Sequence, residues 1–277
     1  DRAVDTDFVL NQVLYNDAVV DSITGRVVYE YRDIVIHALQ IWTGENTLVA
    51  YGSIPFDPEN AADNALPLGD LALTVEGKEV DLAFLSGVNY ELERIEGKAD
   101  ILMSVGGSPT APRSIGDIVI RDGRVKIRDI YPLFEAAELR IQVEGSQFTL
   151  VPVEVKAGKG KIHLNSRILL DNLSFSKTET HATMSQAEFE LIGSSKLTVN
   201  GALSWVGDRE TSLISNGDTP IVVTGTVMHP LNLGTFLFDN TIIRPPAEPD
   251  PFQERIRLDV EIDIPDLVIE NDLADVE

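Results

Sequence analysis

The chain has 277 residues, with 45 Asp plus Glu against 22 Lys plus Arg and a net charge of -23. A nucleic-acid polyanion would be repelled, so no nucleic-acid partner is expected. Cysteine is absent, which excludes disulfides, thiolate metal sites and cysteine nucleophiles, and 43% hydrophobic residues place the chain among those that can bury surface.

The opening residues, DRAVDTDFVL, lack a basic n-region and a cleavage site, and no run of 18 apolar residues occurs. No membrane-spanning segment is expected. The protein is either cytoplasmic or a piece of a longer one, and the close inside another strand-like pattern, VIENDLADVE, favours the piece.

Strand candidates follow almost without pause: the opening stretch, VVYEY, IVIHALQIW, TLVAYGSI, LALTVEG, ADILMSV, GDIVI, RVKIRDI, ELRIQVEG, FTLVPVEVKA, KIHLNSRILL, KLTVNGALSW and PIVVTGTV. Between them TGEN, RDG, EGS, AGKG, VNG and NGD supply turn signals that separate short strands. Short strands with short turns predict an all-β, locally connected antiparallel sheet. VDLAFLSGV, Val80 to Val88, is a short helix or a buried strand. RPPAEPDPFQE, residues 244–254, is proline-rich and reads as a long exposed loop.

Strict alternation recurs along the chain. In IRLDVEIDI, Ile256, Leu258, Val260, Ile262 and Ile264 share one side, and Arg257, Asp259, Glu261 and Asp263 share the other. The same period places Ile118, Ile120, Val125, Ile127, Leu139, Ile141, Val143, Val153, Val155, Ile162, Leu164, Leu197, Val199, Ile221 and Val223 on an apolar face. A parity shift near Pro152 reads as a bulge or bend. A half-apolar sheet of this length has to form a sandwich, close into a barrel or curl around something.

Chemical signals are sparse. His37, His163, His181 and His229 have no paired spacing, and AGKGK, residues 157–161, lacks the helix of a phosphate loop. Asp259, Glu261 and Asp263 stand about 6.6 Å apart on a strand, too far to share one cation without loop oxygens. The Asn172-Leu173-Ser174 sequon is of a kind that arises by chance. No enzyme, metal or cofactor is expected.

The stretch from Gly87 to Ile130 carries an ordered series, Gly97, Gly107, Ser108, Pro112, Gly116, Asp122 and Gly123, with Pro112 ending one strand run, Gly116 restarting the next and Asp122-Gly123 expected to turn a hairpin. This order resembles the TamB family, large AsmA-like proteins of the bacterial envelope. Echoes follow in ELRIQVEGSQFTLVPVEVKAGKGKIHLNSRILL, in GTVMHPLNLGTF and in LDVEIDIPDLVIENDLADVE. The resemblance covers most of the chain and is weakest over its first 50 residues. It implies a β-taco, an elongated antiparallel sheet curled into a U-shaped trough, with residues 1–277 one continuous segment. It also implies a periplasmic fragment of an inner-membrane-anchored protein, whose apolar face carries phospholipid acyl chains between the two membranes. The alternative it implies is outer-membrane protein assembly, in which β-augmentation serves an Omp85-type partner engaged through a region absent from this chain.

Overall fold

The computed structural model describes residues 4–15, 18–43, 46–56, 69–85, 92–109, 111–128, 130–171, 174–191, 195–208, 211–229 and 256–271. The fold is all-β. Among these residues 17 strands belong to a sheet that does not close on itself, and one short 3-10 turn stands beside them. No described helix is long and apolar enough to cross a membrane. The proline-rich residues 244–254 and the Asn172 sequon lie outside the described residues.

The chain divides into two compact units, one of residues 1–128, 135–153 and 165–177, the other of residues 129–134, 154–164 and 178–277. In the first, β1 (Val4–Tyr15), β2 (Ala18–Glu30), β3 (Asp33–Thr43), β4 (Asn46–Pro55), β5 (Leu71–Asp81), β6 (Leu92–Gly107) and β7 (Arg113–Ile127) form an antiparallel meander. Each strand pairs with its chain neighbour, as expected where connections are short. The Val80 to Val88 stretch resolves into two parts: Val80 and Asp81 end β5, and Leu82–Leu85 form the 3-10 turn, with residues 86–88 outside the described set. Asp81 caps that turn by accepting the Ala83 N–H at 2.9 Å, and Leu82 is buried.

After β8 (Ile130–Tyr131) come β9 (Phe134–Gly145), β10 (Gln147–Ala157), β11 (Gly160–Asp171) and β12 (Ser174–Leu191). Strands β10 to β12 are divided between the units. EGS and AGKG are turns as expected, with Gly145 at φ 65° and Gly158 at φ 63°. Pro152 is exposed on β10, which runs unbroken past it.

In the second unit β13 (Ser195–Asp208) is flanked on one side first by β14 (Ser212–Ser215) and then by β15 (Ile221–His229), both antiparallel to it. VNG, residues 199–201, is therefore no turn: it lies inside β13, with Gly201 at φ 142°. IRLDVEIDI is not one strand. It splits at Val260 and Glu261 into β16 (Ile256–Asp259) and β17 (Ile262–Asn271), which run parallel to β14 and β15. The expected all-antiparallel order thus fails at this end, because residues 230–255 separate β15 from β16 and a parallel neighbour needs a connection of that length.

An apolar face with a charged reverse

Chaining the strand registers of the first unit gives rows that cross all seven strands of the meander. One runs Leu10, Ile23, Ile41, Leu48, Gly77, Ile101, Ile118, and the next runs Phe8, Gly25, Leu39, Ala50, Val75, Met103, Gly116. A third passes through Val27, Ile36, Gly52, Leu73 and Val105 to Ser114. Cross-strand neighbours of this kind touch directly. The apolar face is therefore continuous from β1 to β7.

Bulges keep it continuous. In β3, His37 is skipped by the register with β2, so Ile34 and Ile36 before it share a face with Leu39 and Ile41 after it. In β5 the register jumps from Gly77 to Val80 across Lys78 and Glu79, and Glu79 takes φ 52°. In β6 and β7 it jumps from Glu96 and Arg124 to Lys98 and Arg121, leaving Gly97 opposite Asp122 and Gly123. Asp122-Gly123 is thus a bulge and not the expected hairpin turn. Asp122 at φ 51° and Gly97 at φ 132° supply the backbone conformations that a regular pair could not. That bulge places Ile118 and Ile120 on the same face as Val125 and Ile127, despite their opposite parity in sequence.

The residues expected on an apolar face are only partly covered. Ile118, Ile120, Val125, Ile127, Leu139, Ile141 and Val153 keep intermediate exposure, as do Val155, Ile162, Leu164, Leu197, Val199, Val223 and Val260; Val143 and Ile221 are buried. Their neighbours Arg140, Gln142, Glu144, Glu154, Lys156, Lys161 and His163 are exposed. Leu258, Ile262 and Ile264 are exposed, the first at 72%. Ile256 stands opposite Ser212, Leu258 opposite Ile214 and Ile262 opposite Ile221, whereas Ile264 falls in the register shift between Asp263 and Asp266. Among the described residues nine hydrophobics are buried, four of them alanines, and the only large fully buried side chain is Val80, at 1%. A sandwich core of interdigitated side chains would bury many more.

The reverse of the sheet carries ion pairs in the first unit. Arg26 grips Asp5 with two bonds, of 2.7 and 3.2 Å, Arg121 meets Asp100 at 2.8 Å, and Lys98 meets Asp81 at 3.2 Å. Lys126 reaches Glu93 at 3.2 Å, and Glu96 accepts both Arg94 and Arg124. The Arg26 hydrogen bond lowers the Asp5 carboxyl below its ordinary value. The Glu79 N–H, at 2.8 Å, and then Arg121 do the same for Asp100. In the second unit Lys161 bonds Glu154 at 2.9 Å and lowers it, with His163 3.6 Å from the same carboxylate.

Among the described residues no three histidines or acids gather as metal ligands. In the second unit Tyr131, Lys159, Glu188, Phe189 and Leu197 border a hollow of about 190 Å³, and in the first unit Arg113, Ser114, Ile115, Glu144 and Gln147 border one of about 520 Å³. No family model, curated protein or solved structure matches the chain.

Sequence reading missed much of the face upstream of Ile118. Ile23, Leu39, Ile41, Leu48, Val75, Ile101 and Met103 share it by register, yet the bulges at His37 and at Lys78-Glu79 break their period two. The usable signal was a one-residue phase slip beside a charged or imidazole residue.

Proposed function

We propose that this chain is a stretch of a hydrophobic conduit of the TamB type, carrying phospholipid acyl chains along the apolar face of its sheet in the periplasm, with headgroups left in water. The observation that carries the reading is the half-covered face: rows rich in Ile, Leu and Val cross seven strands, and among the described residues no second layer buries them. Each methylene removed from water is worth about 0.8 kcal/mol, so a long acyl chain gains on the order of 10 kcal/mol gross. Because the attraction has no preferred direction, successive rows offer nearly equal sites, and a chain can pass from one to the next without a deep trap.

The test is extraction of the purified protein with organic solvent and mass spectrometry of the extract. Copurifying phospholipid, displaced by substitutions on the apolar face and not by those on its reverse, is the expected result. Protein that is lipid-free from every host and takes up no acyl-chain probe contradicts the conduit.

A further inference from the structure

We propose that Ser204, His181 and Glu179 form a nucleophile, a base and an orienting carboxylate that cleave esters with readily departing leaving groups, aryl esters and thioesters, through an acyl-Ser204 intermediate. The site stands apart from the conduit reading. His181 Nδ1 lies 3.0 Å from the Ser204 Oγ, and His181 Nε2 lies 3.4 Å from the Glu179 Oε1. A carboxylate only accepts, so Nε2 carries the hydrogen that Glu179 receives, and the Nδ1 lone pair is left to take the Ser204 hydroxyl proton. Nucleophile to base and base to orienter are the two contacts that activate a hydroxyl.

Strand geometry brings the three groups together. Glu179 and His181 stand two apart on β12, which puts them on one face, and Ser204 comes from β13. Asn200 ties the two strands to each other, its side-chain oxygen accepting the Gln186 N–H at 2.7 Å and the Gln186 Nε2 at 3.2 Å. On the Ser204 side of the sheet Ser215 stands opposite Ser204, and Leu213 opposite Val206. Val206 and Leu213 are 41% and 42% exposed, an apolar step for the acyl or aryl group. Backbone N–H groups in mid-strand serve the ladder, so the tetrahedral oxyanion meets a side-chain donor, the Ser215 hydroxyl, in place of a backbone pair. Each missing oxyanion donor slows such a reaction by roughly a hundredfold or more, which confines the site to esters whose leaving group departs without help.

In the first step Ser204 Oγ bonds to the acyl carbon as its proton moves to His181 Nδ1. The tetrahedral adduct expels aryloxide or thiolate, which takes that proton and leaves as a phenol or thiol. Water then adds to acyl-Ser204 and gives a proton to Nδ1. Collapse of the second adduct frees the carboxylic acid and returns the proton to Ser204 Oγ.

The test uses the full chain with p-nitrophenyl butyrate, followed by nitrophenol release and by intact mass, and a fluorophosphonate reagent located by peptide mapping. Saturable turnover, a butyryl adduct on Ser204 and phosphonylation of Ser204 are expected. Ser204→Ala and His181→Ala should each lower kcat/KM about a hundredfold, the usual worth of a general base, and free imidazole should restore part of the loss in His181→Ala alone. Glu179→Gln, at a positioning residue, should lower kcat with KM unchanged. The control is His163→Ala, which removes an imidazole that also faces a carboxylate, Glu154, at 3.6 Å, and it should match the parent. An equal loss in that control would reduce the activity to that of exposed imidazole in general and overturn the proposal. So would a full rate in Ser204→Ala or an adduct on any other residue. Should a variant misfold, the label map of the unaltered chain decides alone, and its lack of phosphonylation at Ser204 overturns the assignment.

Discussion

Asn216 and Glu261 are joined by a reciprocal pair of hydrogen bonds: the Asn216 Nδ2 donates to the Glu261 carbonyl at 2.9 Å, and its Oδ1 accepts the Glu261 N–H at 3.1 Å. The same Nδ2 donates to the Thr219 carbonyl at 2.9 Å, and the Glu261 carbonyl also accepts the Ile221 N–H at 2.9 Å. One buried side-chain amide thus fills the gap where β14 gives way to β15 and β16 to β17. Asn216→Asp keeps the acceptor and loses both donations, and Asn216→Ala loses all three bonds. Unsatisfied groups of this kind cost about 1–3 kcal/mol each. Urea unfolding should show both variants destabilised by at least about 1 kcal/mol, with exchange in residues 256–271 quickened before the rest of the chain.

Faces of one strand should differ in their response to the same charge. Ile141→Asp puts a carboxylate on the apolar face, where an unpaired charge costs several kcal/mol or draws water in. Gln142→Asp puts it on the exposed side, where changes are usually within about 0.5 kcal/mol. The first should fold, lose bound lipid in the extraction assay and fail to crosslink an acyl-chain photoprobe, whereas the second should match the parent in both. A variant Ile141→Asp that simply unfolds would point to a packed sandwich core.

Gly116 and Gly106 face each other's strands across the same hairpin, yet they should respond oppositely to alanine. A Cβ at Gly116 would come within 2.3 Å of the Leu102 carbonyl oxygen and 2.7 Å of the Met103 Cα, both backbone atoms. At Gly106 the nearest atom would be 3.5 Å away, an ordinary contact. Thermal melts should place Gly116→Ala about 1–3 kcal/mol below the parent. Gly106→Ala should be neutral or slightly stabilising, through lost freedom of the unfolded chain.

Acid should loosen the bulge between β5 and β6. Asp100 accepts the Glu79 N–H and pairs with Arg121, and its folded-state pKa is lowered. A lowered carboxyl stabilises the fold above its unfolded value, near 3.9, and that contribution disappears as pH falls through the lower folded value. Stability measured in urea at fixed pH steps should therefore drop below about pH 4 in the parent. In Asp100→Asn the drop should be shallower, and stability at pH 7 lower.

The alternation in ELRIQVEG, VEVKA and KIHLNS was legible because these segments are regular: Leu139, Ile141 and Val143 turn one way and Arg140, Gln142 and Glu144 the other. The Asp122-Gly123 step was misread because Asp-Gly favours a left-handed backbone in a bulge as readily as in a hairpin turn. Only the partner strand distinguishes them, and β6 runs on past Gly97 to Leu92. Likewise the alternation of IRLDVEIDI says nothing of its neighbour's direction. Parallel pairing with β14 and β15 is a tertiary property that local pattern does not encode.

The bulges also say where this chain can change length. Removing His37 would let Ala38 follow Ile36 directly, restoring an unbroken two-residue period with Leu39 and Ile41 still on the apolar side. Removing Gln40, a few residues on, would turn Ile41 outward and have no skipped residue to absorb the slip. Single-residue losses and gains over evolutionary descent are therefore expected to accumulate at His37, at Lys78-Glu79 and at Asp122-Gly123, while the stretches between them hold a fixed count. A deletion scan read by expression of folded protein should show survivors clustered there.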